Sequence, residues 1–176
     1  NTSEGSAGAL TGGETVIRFF LSVTGTPGGQ ETILIKPANG SSIYNSSGTA
    51  MSANNTISAT FNDKNGPNIT QTSIADDNST VSVTVNETAY NTNGGSGALQ
   101  TSDWALSISG GAATLSSATP SSISLTSNTY TLGVGLSGTA NGSEVLSVNP
   151  VANSIYDASG NVSTTTQSNN TVNLLD

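Results

Sequence analysis

Apolar and polar side chains alternate in several short runs along the chain. Clear runs cover 17–23, 81–85, 104–108 and 130–136. A period of two residues is typical of half-buried β-strands. Turn-forming pairs such as Gly-Gly and Asn-Gly separate the runs, and no window carries a sustained helical period. The pattern therefore predicts an all-β chain with essentially no helix.

One part of the sequence repeats another. GTPGGQETILIKP at 25–37 aligns without a gap on GTANGSEVLSVNP at 138–150. The spacing between aligned residues is constant and places Gly25 on Gly138. We call this spacing the repeat offset. The match continues with SIYNSSG and SIYDASG, which begin at Ser42 and Ser154, and with NNTI at 54–57 and NNTV at 169–172. A period of about 110 residues made of short strands is the size of one immunoglobulin-like sandwich. We therefore expect tandem immunoglobulin-like β-sandwich modules.

The two expected modules differ in completeness. The first covers 1–65 and the second covers 66–176, and the first has no counterpart of WALSISGGAATLSSATPSSISLTS or of the opening strands. Three explanations stay open: the chain is a window on a longer array, a strand from elsewhere completes the first module, or the sequence omits part of it. Strands of the second module are expected near 67–73, 80–87, 104–109, 112–116, 121–125, 128–136, 143–149 and 169–175.

The second module resembles a known group of proteins. The stretch from TVNETAYNTNGG to NNTVNLLD, with its NPVANSIYDASGN block, is similar to the tandem immunoglobulin-like repeats of very large bacterial surface adhesins. The resemblance covers nearly all of the second module and the back half of the first. It implies an extracellular chain that bears load or adheres, stiffened by calcium in some relatives, and it implies no catalysis.

Composition and charge narrow the chemistry further. The 176 residues include 3 Lys and Arg, 11 Asp and Glu, no His and no Cys. Nucleophiles that depend on His or Cys, thiolate metal sites and disulfides are therefore excluded. A net charge of −8 argues against partners such as nucleic acid or an anionic membrane. Carboxylates and metals with oxygen ligands remain, and we expect no enzyme.

Carboxylates at strand ends are the candidate calcium ligands of the second module. Glu87 ends a predicted strand, Asp103 opens the next one, and Asp157 lies in the loop YDASGN. Strand ends cluster at the poles of a sandwich, and calcium takes six to eight oxygen ligands. Asp157-Ala-Ser-Gly-Asn is also a good turn sequence, and the first module has Asn45 at the corresponding place. Both readings of Asp157 stay open.

A second acidic group lies near the expected junction of the modules. Asp63 occurs in the predicted linker, and Asp76 and Asp77 follow in a loop of the second module. Calcium held there would keep neighbouring modules rigid, whereas repulsion between unbound carboxylates would let the joint flex. The alternative is a solvated hinge without metal.

Other candidate residues favour structural roles. Glu31 and Glu144 are equivalent in the repeat, so they should lie too far apart for the carboxylate pair of a glycosidase. Trp104 alternates with apolar residues, which places it in the core. Tyr44 and Tyr156 correspond to each other and fit a structural corner, although stacking on a sugar ring is the alternative.

The sequence thus supports three functional hypotheses. The first is a structural repeat region in the stalk or surface filament of a bacterial extracellular adhesin, whose partners are neighbouring repeats or subunits. The second is a pilus-like subunit that polymerises by β-strand donation, with the incomplete module as acceptor. The third is a carbohydrate-binding module that recognises surface glycans. All three place the chain outside the cell, without membrane insertion.

Overall fold

The computed structural model describes residues 11–176 and is all-β, with 33% of residues in strands and 2% in helix. The chain divides into two compact units, Asn1–Asn62 and Asp63–Asp176, slightly before the boundary expected from the sequence. We call them unit 1 and unit 2. The one helical element in the described part is the 3-10 turn Thr101–Asp103. No helix there is long and apolar enough to cross a membrane.

Unit 1 contains one antiparallel strand pair among its described residues. β1 covers Thr32–Ile35 and β2 covers Ile57–Thr60. The prediction of a strand at 17–23 is wrong, because no strand forms there and side chains such as Phe19 and Leu21 are exposed. A strand needs a neighbouring strand to pair with, and neither strand described in residues 11–62 pairs with this segment.

Unit 2 contains nine strands, and they match the segments expected from the sequence. The expected strand at 128–136 divides in two at the glycine-containing stretch before Leu136. The strands are β3 (Ile69–Ile74), β4 (Thr80–Val85), β5 (Trp104–Ser109), β6 (Thr114–Leu115), β7 (Ile123–Thr126), β8 (Thr129–Gly133), β9 (Leu136–Ser137), β10 (Val145–Pro150) and β11 (Thr171–Asn173).

These strands form three antiparallel sheets. One has the order β3-β4-β8-β7, a second has the order β11-β10-β5, and a small third sheet pairs β6 with β9. Side chains from the first two sheets share one apolar core. Along β4, for example, the valines at 81, 83 and 85 are buried while the residues between them are more exposed. This alternation is the pattern from which the strands were predicted.

Trp104 lies in this core, as the sequence predicted. Its side chain is 1% exposed, and its ring centroid lies 5.6 Å from that of Tyr130 on β8. The pair connects the three-stranded sheet to the four-stranded one. Burial of a large apolar side chain contributes about 1.5–3 kcal/mol, so aromatic and valine side chains together account for much of the stability of unit 2.

The strand pair of unit 1 and the β10–β11 pair of unit 2 have the same register at the repeat offset. Both pairs also continue with the same backbone bond, in which Phe61 N–H donates to Glu31 O at 2.9 Å and Leu174 N–H donates to Glu144 O at 3.0 Å. The alignment of NNTI with NNTV is therefore shifted from the structural correspondence and is wrong. The matching partners are Thr32 with Thr60 and Val145 with Asn173, then Ile33 with Ala59 and Leu146 with Val172.

Candidate metal centre

Three carboxylates of unit 2 converge at one place. Each of Asp63, Glu87 and Asp157 offers an oxygen that lies within 4.8 Å of the oxygens offered by the other two. The β3–β4 pair brings two of the three carboxylates together, because Ile69 at the start of β3 faces Val85 at the end of β4. Asp63 precedes β3 and Glu87 follows β4, so the antiparallel pair brings both to the same end.

A backbone bridge brings in the third carboxylate. Tyr90 and Tyr156 exchange two N–H to carbonyl bonds of 2.8 Å, which ties the segment after β4 to the loop that contains Asp157. Asp157 itself is 1% exposed. The loop therefore presents a buried carboxylate beside Glu87, which is half-buried.

Asp157 also organises its own turn. The Asn161 backbone N–H donates to Oδ1 and the Asn161 side-chain amide donates to Oδ2, both at 2.7 Å. Each carboxylate oxygen keeps lone-pair capacity after accepting one such bond, so the turn leaves room for a cation.

Unit 1 makes the same turn without a charge. Asn45 N–H donates to Thr49 O at 3.0 Å, as Asp157 N–H does to Asn161 O, and the Asn45 side-chain oxygen accepts the Thr49 N–H at 2.9 Å. A neutral side chain is thus sufficient for the turn. The negative charge of Asp157 needs a further explanation, and a cation at the cluster supplies one.

The surroundings of Glu87 in this cluster raise its pKa. Burial raises the pKa of Glu87 above its ordinary value, and the negative charges of Asp157 and then of Asp63 raise it further. One hydrogen bond opposes the rise, because the Asn86 side-chain amide donates to Glu87 Oε1 at 3.2 Å. Three carboxylates in a partly buried space repel one another, and a bound cation would remove that repulsion.

The carboxylates of the cluster are close enough to contact one cation. Calcium binds oxygens at about 2.3–2.6 Å, so two ligands on opposite sides of the ion lie about 4.6–5.2 Å apart. The three carboxylate oxygens lie within 4.8 Å of one another, so they could contact a single ion of this kind. Asp63, Glu87 and Asp157 would supply three of the six to eight ligands that calcium takes.

The remaining predicted ligands lie elsewhere in unit 2, and two of them, Asp103 and Asp77, accept local hydrogen bonds. Asp103 Oδ2 accepts the Gln100 N–H at 2.7 Å and so closes the 3-10 turn. Asp77 Oδ1 accepts the Ser79 N–H and hydroxyl at 2.9 and 2.6 Å, in the turn between β3 and β4, and Asp76 precedes it in the same turn. The cluster thus combines one residue of the expected junction group with two of the expected strand-end group.

Glu144 lies in a buried environment that the sequence did not predict. It is fully buried and accepts three backbone N–H bonds, from Ala112, Ala113 and Asn141, at 2.7, 2.9 and 3.0 Å. These bonds lower its pKa to about 2, with the Ala113 bond contributing most. Glu144 therefore holds two loops together. The sequence feature that could have indicated this contact is the Gly-Gly pair at 110–111, because glycines allow the loop to approach a carboxylate closely.

Trp104 and Tyr156 have structural contacts, whereas Tyr44 is exposed. Trp104 is buried, and the Tyr156 hydroxyl donates to Asn153 O at 2.9 Å, which uses its polar end within the loop. Tyr44 in unit 1 is exposed. These placements agree with the structural roles expected for Trp104 and Tyr156.

Comparisons of the chain with protein-family models, with curated proteins and with solved structures find no match.

Proposed function

We propose that the chain is a structural part of a bacterial extracellular protein, in which immunoglobulin-like β-sandwich modules form a stalk or surface filament. The observation that carries this proposal is the hairpin common to both units, with one register and one set of backbone bonds at the repeat offset. Self-similarity at a fixed spacing is the mark of repeat architectures. A module with its own core in unit 2 suits such an array.

The chemistry of the side chains supports a structural role. Roughly two-fifths of the residues are Ser, Thr or Asn, which hydrogen-bond to water and carry no charge. The two glutamates that are equivalent in the repeat belong to different units, and Glu144 is occupied by three backbone bonds. These features suit a spacer that holds its shape in salt and water.

Force spectroscopy on the full chain tests the structural role. The chain would be placed between two copies of a reference α-helical module of known unfolding force. We expect unit 2 to unfold in one event that releases roughly 35 nm of chain, at a force above that of the reference. Extension of residues 63–176 without a force peak, or at a lower force than the reference, would contradict a load-bearing role.

Calcium at the Asp63, Glu87 and Asp157 cluster is part of this proposal. A cation there would neutralise the repulsion that raises the pKa of Glu87. It would also join the segment before β3, the segment after β4 and the loop after β10. Joining three segments at one end of unit 2 would oppose local opening under load.

Thermal unfolding with calcium and with a chelator tests the cluster. A ligand at about 100 times its Kd stabilises the folded state by about 2.7 kcal/mol, so calcium should raise the unfolding midpoint of the native chain. Asp157→Asn should abolish the rise, while the turn survives because Asn45 makes the same turn in unit 1. The matched control is Asp77→Asn, which removes a turn carboxylate outside the cluster and should leave the calcium effect intact.

Two results would reject the calcium site. One is a native midpoint that does not change between calcium and chelator. The other is an equal calcium effect in the native chain and in Asp157→Asn. Magnesium at the same concentration should have a smaller effect, because it demands a closer octahedral set of ligands.

A further inference from the structure

An apolar groove lies in unit 1. It has a volume of about 500 Å³ and is open to solvent along side chains that would ordinarily be covered. Several of its lining residues are exposed, including Phe19 at 61% and Ile57 at 66%. The apolar residues that line it are Phe19, Ile35, Pro37, Ile43, Met51 and Ile57.

Three of these residues have counterparts in the core of unit 2. The repeat offset places Phe19 on Leu132 and Ile35 on Val148, and the SIY match places Ile43 on Ile155. All three counterparts are at most 1% exposed. The groove of unit 1 is therefore the site that unit 2 fills with its own chain.

Strand β5 covers this site in unit 2. It pairs antiparallel with β10, so that Trp104 faces Pro150, Leu106 faces Val148 and Ile108 faces Leu146. Trp104 and Leu106 are 1% and 3% exposed. β1 of unit 1 is the counterpart of β10, and within residues 11–62 it pairs with β2 alone. Its other edge offers backbone hydrogen-bonding groups beside an apolar groove.

We propose that this edge and groove accept a β-strand that lies outside residues 11–62. The strand would run antiparallel to β1 and carry a large aromatic residue followed by apolar residues at alternate positions, as WALSIS does in β5. The aromatic side chain would lie opposite Pro37, and the next two apolar side chains would lie opposite Ile35 and Ile33. Backbone pairing would give affinity and the groove would select the side chains.

The donor strand is not β5 of a second copy. In each copy β5 is already paired with β10 and packed in the core of unit 2. Releasing it would expose Trp104 and break that unit. The occupant is instead a segment of β5-like chemistry that has no sheet of its own. This inference does not depend on the proposed function, because its test detects strand pairing and no mechanical or calcium property.

Disulfide trapping tests the predicted register on the full chain. The chain has no cysteine, so Leu34→Cys creates a single thiol on the exposed face of β1, away from the groove. The probe is a synthetic peptide with the sequence of residues 101–110. Because Ser107 faces Ser147, the counterpart of Leu34, the Ser107→Cys peptide should place its thiol opposite.

The expected result is selective trapping. The Ser107→Cys peptide should form the mixed disulfide at least tenfold faster than an Ala105→Cys peptide. The reason is that positions two residues out of register lie about 7–8 Å apart, beyond disulfide reach. Adding Trp104→Ala to the Ser107→Cys peptide should reduce trapping at least tenfold, because the groove would lose its largest side chain.

A matched control separates groove binding from general edge reactivity. Leu125 is also an exposed leucine on an edge strand, β7 of unit 2, so Leu125→Cys presents a comparable thiol without the groove. Equal trapping at Leu34→Cys and Leu125→Cys would overturn the proposal. Equal trapping by the Ser107→Cys and Ala105→Cys peptides would overturn it as well, and so would the absence of trapping. Protection of the Leu34 and Lys36 amides from hydrogen exchange by the peptide would support it independently, because the equivalent positions in β10 face β5.

Discussion

Glu31 and Glu144 occupy equivalent places in the two units and have different surroundings. Each follows a turn and accepts the N–H of the residue three positions earlier, Gly28 for Glu31 and Asn141 for Glu144, at 3.0 Å. Glu144 is fully buried and also binds the backbone of 112–113, whereas Glu31 is exposed. The hairpin and its turn are therefore local products of the sequence, while burial of the carboxylate depends on strands that come from elsewhere in the chain.

The comparison also explains the two apolar surfaces. The same strand pair faces a closed core in unit 2 and an open groove in unit 1. In unit 1, β1 and β2 pair across the connection 36–56 without any further strand in their sheet. A closed core requires β4 and β5 or strands like them. Substitutions that affect only the local strand pair, or only the closed core, should therefore have different effects in the two units.

The largest expected effect is at Trp104. Trp104→Ala should cost unit 2 about 3–5 kcal/mol, because it leaves a cavity between the two sheets. The β1–β2 pair contains no contact of this kind, so the amide chemical shifts of residues 32–35 should not change. Urea unfolding followed by circular dichroism gives the free energy, and NMR checks unit 1. The control Trp104→Phe should cost less, since it keeps a ring and removes an indole N–H that has no partner.

Gly111→Ala should have the next largest effect. Gly111 has a φ of +58°, and a Cβ atom there would overlap the Glu144 carboxylate. We expect a loss of roughly 2–4 kcal/mol, from backbone strain together with displacement of that side chain. Gly48→Ala is the matched control, because Gly48 has a φ of +77° and open space around its Cβ position. Similar losses for the two variants, after allowing for the small size of unit 1, would show that the carboxylate contact matters little.

The two glutamates themselves give a direct comparison. Glu144→Gln should lower the unfolding midpoint of unit 2 by roughly 5–15 °C, since the amide cannot accept all three N–H bonds. Glu31→Gln should change the midpoint by less than about 2 °C, because an exposed carboxylate is replaced by a group that water also solvates. Differential scanning calorimetry measures both. Equal effects would mean that burial of Glu144 contributes nothing beyond the local turn.

Acid titration is expected to have the smallest effect and separates Glu144 from Glu87. The pKa of Glu144 falls from 4.5 to about 2 on folding, so its stabilisation is complete above pH 4.5 and is lost as the pH falls toward 2. The pKa of Glu87 is raised, so its ionised form disfavours folding and stability recovers as protonation begins below neutral pH. Glu144→Gln should therefore flatten the acid limb of the stability curve, and Glu87→Gln should remove the recovery. Unfolding free energies from neutral pH down to strongly acidic pH, without calcium, test both signs.

Local pattern explains what could be predicted from the sequence. The strand at 104–109 was predicted with its observed bounds, because alternation of apolar residues and the flanking turns are local signals. The segment 17–23 has the same alternation and forms no strand, because a strand also requires a paired strand and neither strand described in residues 11–62 pairs with it. The pattern of a segment therefore predicts its capacity to pair, and pairing itself depends on the rest of the fold.

The candidate metal site depended on tertiary contacts that the sequence did not reveal. Glu87 and Asp157 were identified separately from Asp63, and the bridge between Tyr90 and Tyr156 is what brings them together. The burial of Glu144 was missed for the same reason, since its partners at 112 and 113 lie far earlier in the chain, across several strands. Residue type indicated the chemistry that was available, and only the fold shows where it is assembled.

The position of Trp104 has a practical consequence. It is the single tryptophan of the chain and lies in the core of unit 2 beside Tyr130, whereas the only tyrosine of unit 1 is Tyr44. Tryptophan-selective fluorescence therefore reports on residues 63–176 alone. Calcium binding or unfolding in that unit changes the emission of its own chromophore, and a donor strand that brings an aromatic residue to unit 1 adds a second, separately assignable signal.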